Sequence, residues 1–540
     1  MRGDTGVLNT PEVGRIIGEA SSDEFMFVAD RNNYPAKYEY LIVKSQEYVD
    51  GQLREVYVLS QVKRIVSKSL VLSEETNIET VDRIRYYNID DVNVVGYAKI
   101  LGFIVEKDGK IRVRMPRRSV TPGSSVYIAP SSLLRKFFTY PEGEGLRVGT
   151  LILRDDVPVE ISINGLRRHL AILAQTGAGK SYTAGILIEE LLDKGATIIV
   201  IDPHADYVFL SRTPDNSRYR HYDRIMVFRN PNSTGRYSEN DIDNLKEYVV
   251  KFSELRPYEI FEVAGIPERY SGIREVLRRA LERLRAVNKS YTPQDLYKEV
   301  ERISSGEEDV KKELSASASR ALKYLYRLTE LRVFGDRSVP IDEILKPMHV
   351  SVIDLSGLED RSMDYIGFRI LTDVYDSVRT GRFPYPVFVF VEEAHTFVPP
   401  RRSGVRTFTG RIINTIASEG RKFGIFLILI TQRPCKLDSD SLSQCNSQIV
   451  MKTTNPHDQN AIRQASERMS DDLLRDLPGL NPGEGIIVGE VTRIPVMVKF
   501  RRRNTREGGA DIDVVEALKM ARRDLKAEVE LQPGMISSEV

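Results

Sequence analysis

One octapeptide narrows the folds open to this 540-residue chain more than anything else in it. AQTGAGKS, Ala174–Ser181, stands between the apolar run HLAILA (169–174) and a helical segment at 181–193. It follows the phosphate-binding pattern G-x-x-x-x-G-K-[ST], with Ala174 in the first glycine position, and the strand–loop–helix setting gives the pattern its meaning. Gly177 and Gly179 permit the dihedrals that turn backbone N–H groups from Thr176 to Ser181 toward phosphate oxygens. The helix N-terminus adds partial positive charge. Lys180 is expected to bridge the β- and γ-phosphates and Ser181 to bind Mg²⁺, with Ala178 and Tyr182 completing the ATP-binding stretch.

A loop of this kind belongs to an α/β fold, and the chain beyond it agrees. ATIIVID (196–202), MVF (226–228), HVSVIDL (349–355), PVFVFV (386–391), IFLILI (425–430) and QIVMK (448–452) are mostly unbroken apolar runs of strand length. Such runs fit a parallel sheet covered on both faces. The helix after the loop offers Ile186, Leu187, Ile188, Leu191 and Leu192 as its apolar face. Residues 240–340 read as a helical insertion, in which Val276, Ala280, Leu281 and Leu284 share one face. Ahead of the sheet, YEYLIVKS, REVYVLSQVKRIV, VNVVGYAKILGFIVE and KIRVRM are short, β-rich and separated by turn signals, the pattern of a small barrel. The expected domains are a barrel at 1–148, an ATPase core at 149–500 and a tail at 501–540, with an amphipathic helix marked by Ile512, Val515, Leu518 and Leu525. At about 150 residues per domain, two to four domains are expected.

Several polar positions fall at the ends of these runs. VFVFVEEAH ends an apolar strand in two carboxylates: Glu392 is expected to face Mg²⁺ through water, and Glu393 to polarise the attacking water as general base. IFLILITQRP ends in Thr431 and Gln432, beside the γ-phosphate if the strand tips share one edge of the sheet. Asp202, at the tip of another strand, is placed to touch the metal–water network, while His204 reads as a hydrogen-bonded loop histidine. Arg421 lies at the opposite end of the Gln432 strand, about 20 Å away at ~3.3 Å per residue, too far to serve its own nucleotide. It could serve a neighbour's, as an arginine supplied in trans; Arg168 has the same geometry and is the second candidate. Arg401, Arg402 and Arg406 lie in a basic loop, either solvated or in contact with nucleic-acid phosphates. Arg501–Arg503 read as solvated surface.

AQTGAGKS, DPHADY, FVEEAH, EGRKFG and TQRPCKLDSDSLSQCNSQIVMKT together resemble the HerA family of archaeal bipolar DNA helicases and translocases, of the HerA–FtsK group. The resemblance covers roughly 10–500 and implies a RecA-like P-loop ATPase core with ATP and Mg²⁺, and a HAS-type N-terminal barrel. It further implies a homo-oligomeric ring, a hexamer, moving on double-stranded DNA with a NurA-type nuclease docked through the barrel, in end resection for recombinational repair. Two departures stand out: Ala174 for the first loop glycine, and Glu392 where many P-loop proteins carry Asp.

Composition limits the alternatives. Lys and Arg number 78 against 77 Asp and Glu, so any nucleic-acid contact rests on local charge. The only two cysteines, Cys435 and Cys445, exclude a disulfide framework and a Cys-rich zinc site. No apolar run approaches the ~18 residues of a membrane span, and the N-terminus has no apolar secretion segment, so a cytoplasmic protein is expected. Two other readings stay open: a motor of the same core that moves protein or conjugative DNA, and a nucleotide-gated scaffold that recruits a nuclease.

Overall fold

The structure, a computed structural model, describes residues 10–69, 71–87, 92–235, 237, 239–287, 290–306, 312–466, 468–509 and 514–530. Among these residues, twelve strands form one sheet. From one edge they run Leu245–Glu247, Ile225–Arg229, Val350–Asp354, Thr197–Asp202, Val387–Val391, Ile425–Thr431, Leu170–Leu173 and Ser447–Met451, all parallel. Glu484–Val488, Val496–Phe500, Gly145–Leu151 and Arg154–Ser162 continue the sheet antiparallel.

The apolar runs form these strands because both faces are covered. Ile199, Ile201, Val387, Val389, Val391, Leu427 and Leu429 enter one core, shared with the helical insertion and the helix Asp360–Arg379. Ile198, Val200, Phe388, Phe390, Ile428 and Ile430 enter the other, shared with the helix Lys180–Asp193. Period-two alternation thus sends successive residues of each strand into different cores. The insertion contributes the helix Ser271–Val287, which buries Val276, Ala280 and Leu281 as its periodicity predicts, with Leu284 packed at the margin.

The N-terminal strands close into a barrel. Glu24–Ala29, Glu12–Ala20, Ser125–Ile128, Tyr40–Val49, Gln52–Lys68 and Asn93–Lys107 pair in turn, and the last pairs back onto the first. Closure removes the free edges of the ladder. Phe25, Phe27, Leu41, Val43, Val58 and Val62 fill the interior. Gly96 is required there, since a Cβ at that position would stand 2.2 Å from the Phe27 ring.

Two boundaries differ from the sequence reading. The strand Gly145–Leu151 crosses the expected 148/149 boundary and lies wholly in the large sheet. The barrel floor is continuous with that sheet: Tyr40, Ile42 and Leu59 share a core with Leu146, Val148 and Val498. Lys37 adds an ion pair to Asp476 at 2.6 Å. At the other end, the Arg501–Arg503 run is solvated only in part, with Arg502 exposed. Arg503 is buried, and Arg501 pairs with Glu189 and Glu190 at 2.9 and 3.0 Å. The cause is Glu189, a carboxylate on the buried face of the helix Lys180–Asp193, which accepts the N–H groups of Asn504 and Thr505 at 2.8 Å each. A buried charge is stable only when paired and hydrogen-bonded, and this strap supplies both. The tail helix runs Val514–Glu530, with Val515 and Leu518 exposed. Ile512 and the side chain of Leu525 lie outside the described residues. Among the described residues, no helix is long and apolar enough to cross a membrane.

Candidate active site

The parallel registers bring the expected residues to one edge. Leu173 is level with Thr431, and Val391 is level with Leu429. The phosphate loop leaves its strand at Ala174, whose N–H donates to the Thr431 carbonyl, and Gln175 N–H donates to Lys452 O at 3.0 Å. Gly177 and Gly179 have φ of +77° and +102°, the left-handed values the motif requires. The helix starts at Lys180 with no side-chain cap and no acidic residue in its first turn. Its first N–H groups and its dipole therefore remain directed at an anion. Thr176 Oγ1 donates to Gln432 Oε1 across the loop, so Gln432 and the loop are joined.

Lys180 is the electrostatic centre. Its Nζ lies 3.3 Å from Glu392 Oε1 and 3.3 Å from Glu393 Oε1. Burial opposes its charge, but the two carboxylates outweigh that and raise its pKa. The glutamates are pushed apart. Glu392 is fully buried, and burial raises its pKa to about 7 against the pull of Lys180 and a hydrogen bond from Tyr207 Oη. For Glu393 burial works the same way, but nearby His395 and Lys180 overcome it and its pKa is lowered. Two carboxyl groups with divergent pKa values are the mark of divided roles. His395 Nδ1 lies 3.1 Å from Glu393 Oε2 and 3.0 Å from its hydrogen-bond partner Thr431 Oγ1. Glu393 Oε2 itself is buried without a hydrogen bond among the described residues. Glu393 also holds a left-handed backbone, φ +47°, a strain of the kind found at active sites.

Residues 146–374 match the family described as helicase HerA, central domain. The DNA double-strand break repair helicase HerA of Pyrococcus furiosus is 30% identical over 578 residues, which cover 95% of this chain and 98% of that protein. A probable helicase of Methanocaldococcus jannaschii is 31% identical over 531 residues, 94% of each chain. The chain belongs to the HerA helicase family. It is a P-loop ATP hydrolase. The structure of VirB4 of Thermoanaerobacter pseudethanolicus is similar in outline, at 18% identity and a TM-score of 0.48 over 67% of this chain and 97% of that one.

In this HerA-family chain the loop Ile201–Tyr207 does more than its sequence indicates. Asp202 is occupied by backbone: its carboxylate accepts N–H groups from His204, Asp206 and Tyr207 at 3.3, 3.1 and 2.9 Å. Those bonds shape the loop. The carboxylate that reaches the phosphate loop from here is Asp206, which accepts the Ser181 hydroxyl at 2.7 Å. Asp206 and Tyr207 are the residues that sequence reasoning passed over; the signal available was a carboxylate in the loop following a strand tip. The His204 side chain is exposed. The donors around the loop fit Mg²⁺: the Ser181 hydroxyl and the Asp206 and Glu392 carboxylates are hard oxygens, which this ion takes alongside water and phosphate oxygens.

The arginines lie elsewhere. Arg421 opens the short helix Arg421–Phe423 that precedes the strand Ile425–Thr431, and Arg168 ends the turn Asn164–Arg168 that precedes Leu170–Leu173. Both are exposed at the amino ends of strands whose carboxyl ends hold the phosphate loop and Gln432. Arg401 pairs with Asp440 at 3.1 Å in the loop after the glutamate strand, while Arg402 and Arg406 are exposed in that loop.

Proposed function

We propose that this chain is an ATP-driven translocase and helicase on double-stranded DNA, working as a closed homo-oligomeric ring, a hexamer, with a nuclease docked on its barrel in DNA end resection. The observation that carries the reading is Lys180 held between Glu392 and Glu393 at the carboxyl edge of the sheet. A lone phosphate-binding loop serves a switch; an adjacent ionised base serves turnover. The Pyrococcus furiosus relative is a DNA double-strand break repair helicase, which supports DNA as the track.

The chemistry follows from the groups present. ATP places its phosphates on the amides of the loop, and Lys180 exchanges its two carboxylates for the β- and γ-phosphate oxygens. That exchange frees Glu393, whose ionised form His395 still favours, to take a proton from a water aligned with the γ-phosphorus. Ser181, Asp206 and, through water, Glu392 would hold Mg²⁺, which would offset charge building on the phosphate oxygens. Gln432, tied to Thr176, meets the γ-phosphate and registers its loss. Arg421 completes the site of the next subunit, since head-to-tail contacts in a cyclic ring bring a strand base to a neighbour's strand tip. Arg401, Arg402 and Arg406 contact DNA phosphates from the loop that leaves the glutamate strand.

The deciding experiment is steady-state ATP turnover with and without linear duplex DNA. A motor shows strong stimulation by duplex. ATP binding without turnover under both conditions would replace this reading with a nucleotide-gated scaffold.

A further inference from the structure

His169 stands between the exposed Arg168 and the buried strand Leu170–Leu173. It is 2% exposed, and its backbone is left-handed at φ +59°, an uncommon state for a residue with a side chain. Both ring nitrogens are engaged. Nδ1 accepts the N–H of Leu427 at 2.9 Å, which leaves the proton on Nε2, and Nε2 donates to Ala417 O at 3.1 Å. Leu427 belongs to the strand Ile425–Thr431, which Gln432 follows, and sits one residue before the first register pair, Leu170 with Ile428. Ala417 belongs to a π-helical turn, Ile416–Gly420, which leads directly into Arg421. Turns of this kind are rare and collect at functional sites.

One imidazole therefore joins three parts: the base of the phosphate-loop strand, the base of the sensor strand and the turn that presents Arg421. The bond pattern needs a neutral ring, because a doubly protonated one has no acceptor for Leu427. Burial, helped by the nearby Arg421 charge, pushes its pKa down to about 4 and keeps it neutral.

We infer that His169 is a positioning residue for catalysis in trans: it clamps the π turn carrying Arg421 onto the two strands whose far ends touch the nucleotide. The inference rests on the reading of Arg421 as the arginine supplied to the neighbouring subunit. It gives that arginine a fixed relation to its own subunit's phosphate loop, through two strands that meet at one ring.

The test uses the full chain and three readouts: turnover, nucleotide affinity at equilibrium and the thermal midpoint. His169→Phe fills the volume and makes neither bond. Misplacing a reacting group by about 1 Å costs ~10²-fold, so His169→Phe should lose roughly 10–10²-fold in kcat, with affinity nearly kept and the midpoint lowered, because Leu427 N–H and Ala417 O lose their partner. His169→Gln offers an amide donor and a carbonyl acceptor and should recover most of the rate. The combination His169→Phe with Arg421→Ala should be no slower than Arg421→Ala alone, because the ring acts through that arginine. A merely structural role would multiply the two losses, and that result overturns the inference. If His169→Phe does not fold, His169→Asn, whose shorter amide reaches one partner only, enters the same cycle. A wild-type rate for the His169 variant beside an inert Arg421→Ala overturns the inference alone. Full turnover by Arg421→Ala removes the trans arginine, and this inference with it.

Discussion

The strand Ile425–Thr431 has two ends built on opposite electrostatic principles. At its carboxyl end, where Thr431 and Gln432 face the phosphate loop, charge is satisfied from within. Lys180 meets Glu392 and Glu393, and Ser181 meets Asp206. At its amino end, Arg421 and Arg168 are exposed and, among the described residues, form no ion pair, while the histidine beneath them is held neutral. A paired site can wait for its anion without paying a desolvation penalty on an unmatched charge. An unpaired arginine held on a rigid base is suited to an anion that another chain delivers. On the proposed reading, one end is complete in a single subunit and the other becomes complete only in an assembly.

The largest effect should come from breaking the amino end. Arg421→Ala should lower turnover by ~10³–10⁵-fold, with nucleotide affinity largely kept, since the residue acts on a neighbour's transition state. Steady-state ATPase and an equilibrium nucleotide titration read the two quantities. Full turnover would move the assignment to Arg168. Breaking the carboxyl end comes next. Glu393→Gln should slow hydrolysis by ~10²–10⁴-fold while keeping ATP bound, because an amide cannot accept the proton. Lys180→Ala should instead weaken binding itself. The comparison predicts a further asymmetry: Arg421→Ala and Glu393→Gln chains mixed in one ring should regain activity at interfaces where an intact base meets an intact arginine. Two Glu393→Gln and Lys180→Ala populations should not complement, since both defects fall on the same subunit's site.

Much of this was legible beforehand. The apolar runs placed seven of the eight parallel strands within a residue or two, because strands covered on both faces tolerate little else; the edge strand Leu245–Glu247 fell in the stretch read as a helical insertion. The loop, Glu392, Glu393 and Gln432 lie at the strand tips where the apolar runs put them. Four things were not. The boundary at 148/149 failed because Gly145–Leu151 and Arg154–Ser162 extend the large sheet as an antiparallel hairpin with alternating burial, a pattern shared with barrel strands. The strap from Arg501 was invisible because its partner is Glu189, one acid within an apolar helix face, and only tertiary structure says what covers it. Asp202 was read as a metal-side residue because its strand tip is right; three backbone N–H groups claim its oxygens first. His169 carried no pattern at all, since a histidine at the start of a strand is usually packing.

The smallest expected effect sharpens the amino end by pH. His169 has a folded pKa of about 4, below its ordinary 6.5, with burial as the main cause and the Arg421 charge acting in the same direction. Between those values the unfolded chain binds the proton that the folded chain refuses. Stability from this residue is therefore present above about pH 6.5, declines as pH falls through that value and has gone by about pH 4. A difference of this size corresponds to something on the order of 3 kcal/mol over the whole window. Other groups titrate in the same range, so the comparison is between variants: wild type and His169→Gln, whose amide does not titrate. The thermal midpoint of wild type should drop more between pH 7 and pH 5 than that of His169→Gln. Parallel declines would mean that the ring is free to take a proton in the folded protein. In that case Nδ1 would no longer hold Leu427, and the clamp on the Arg421 turn would open with acid along with the rest of the fold.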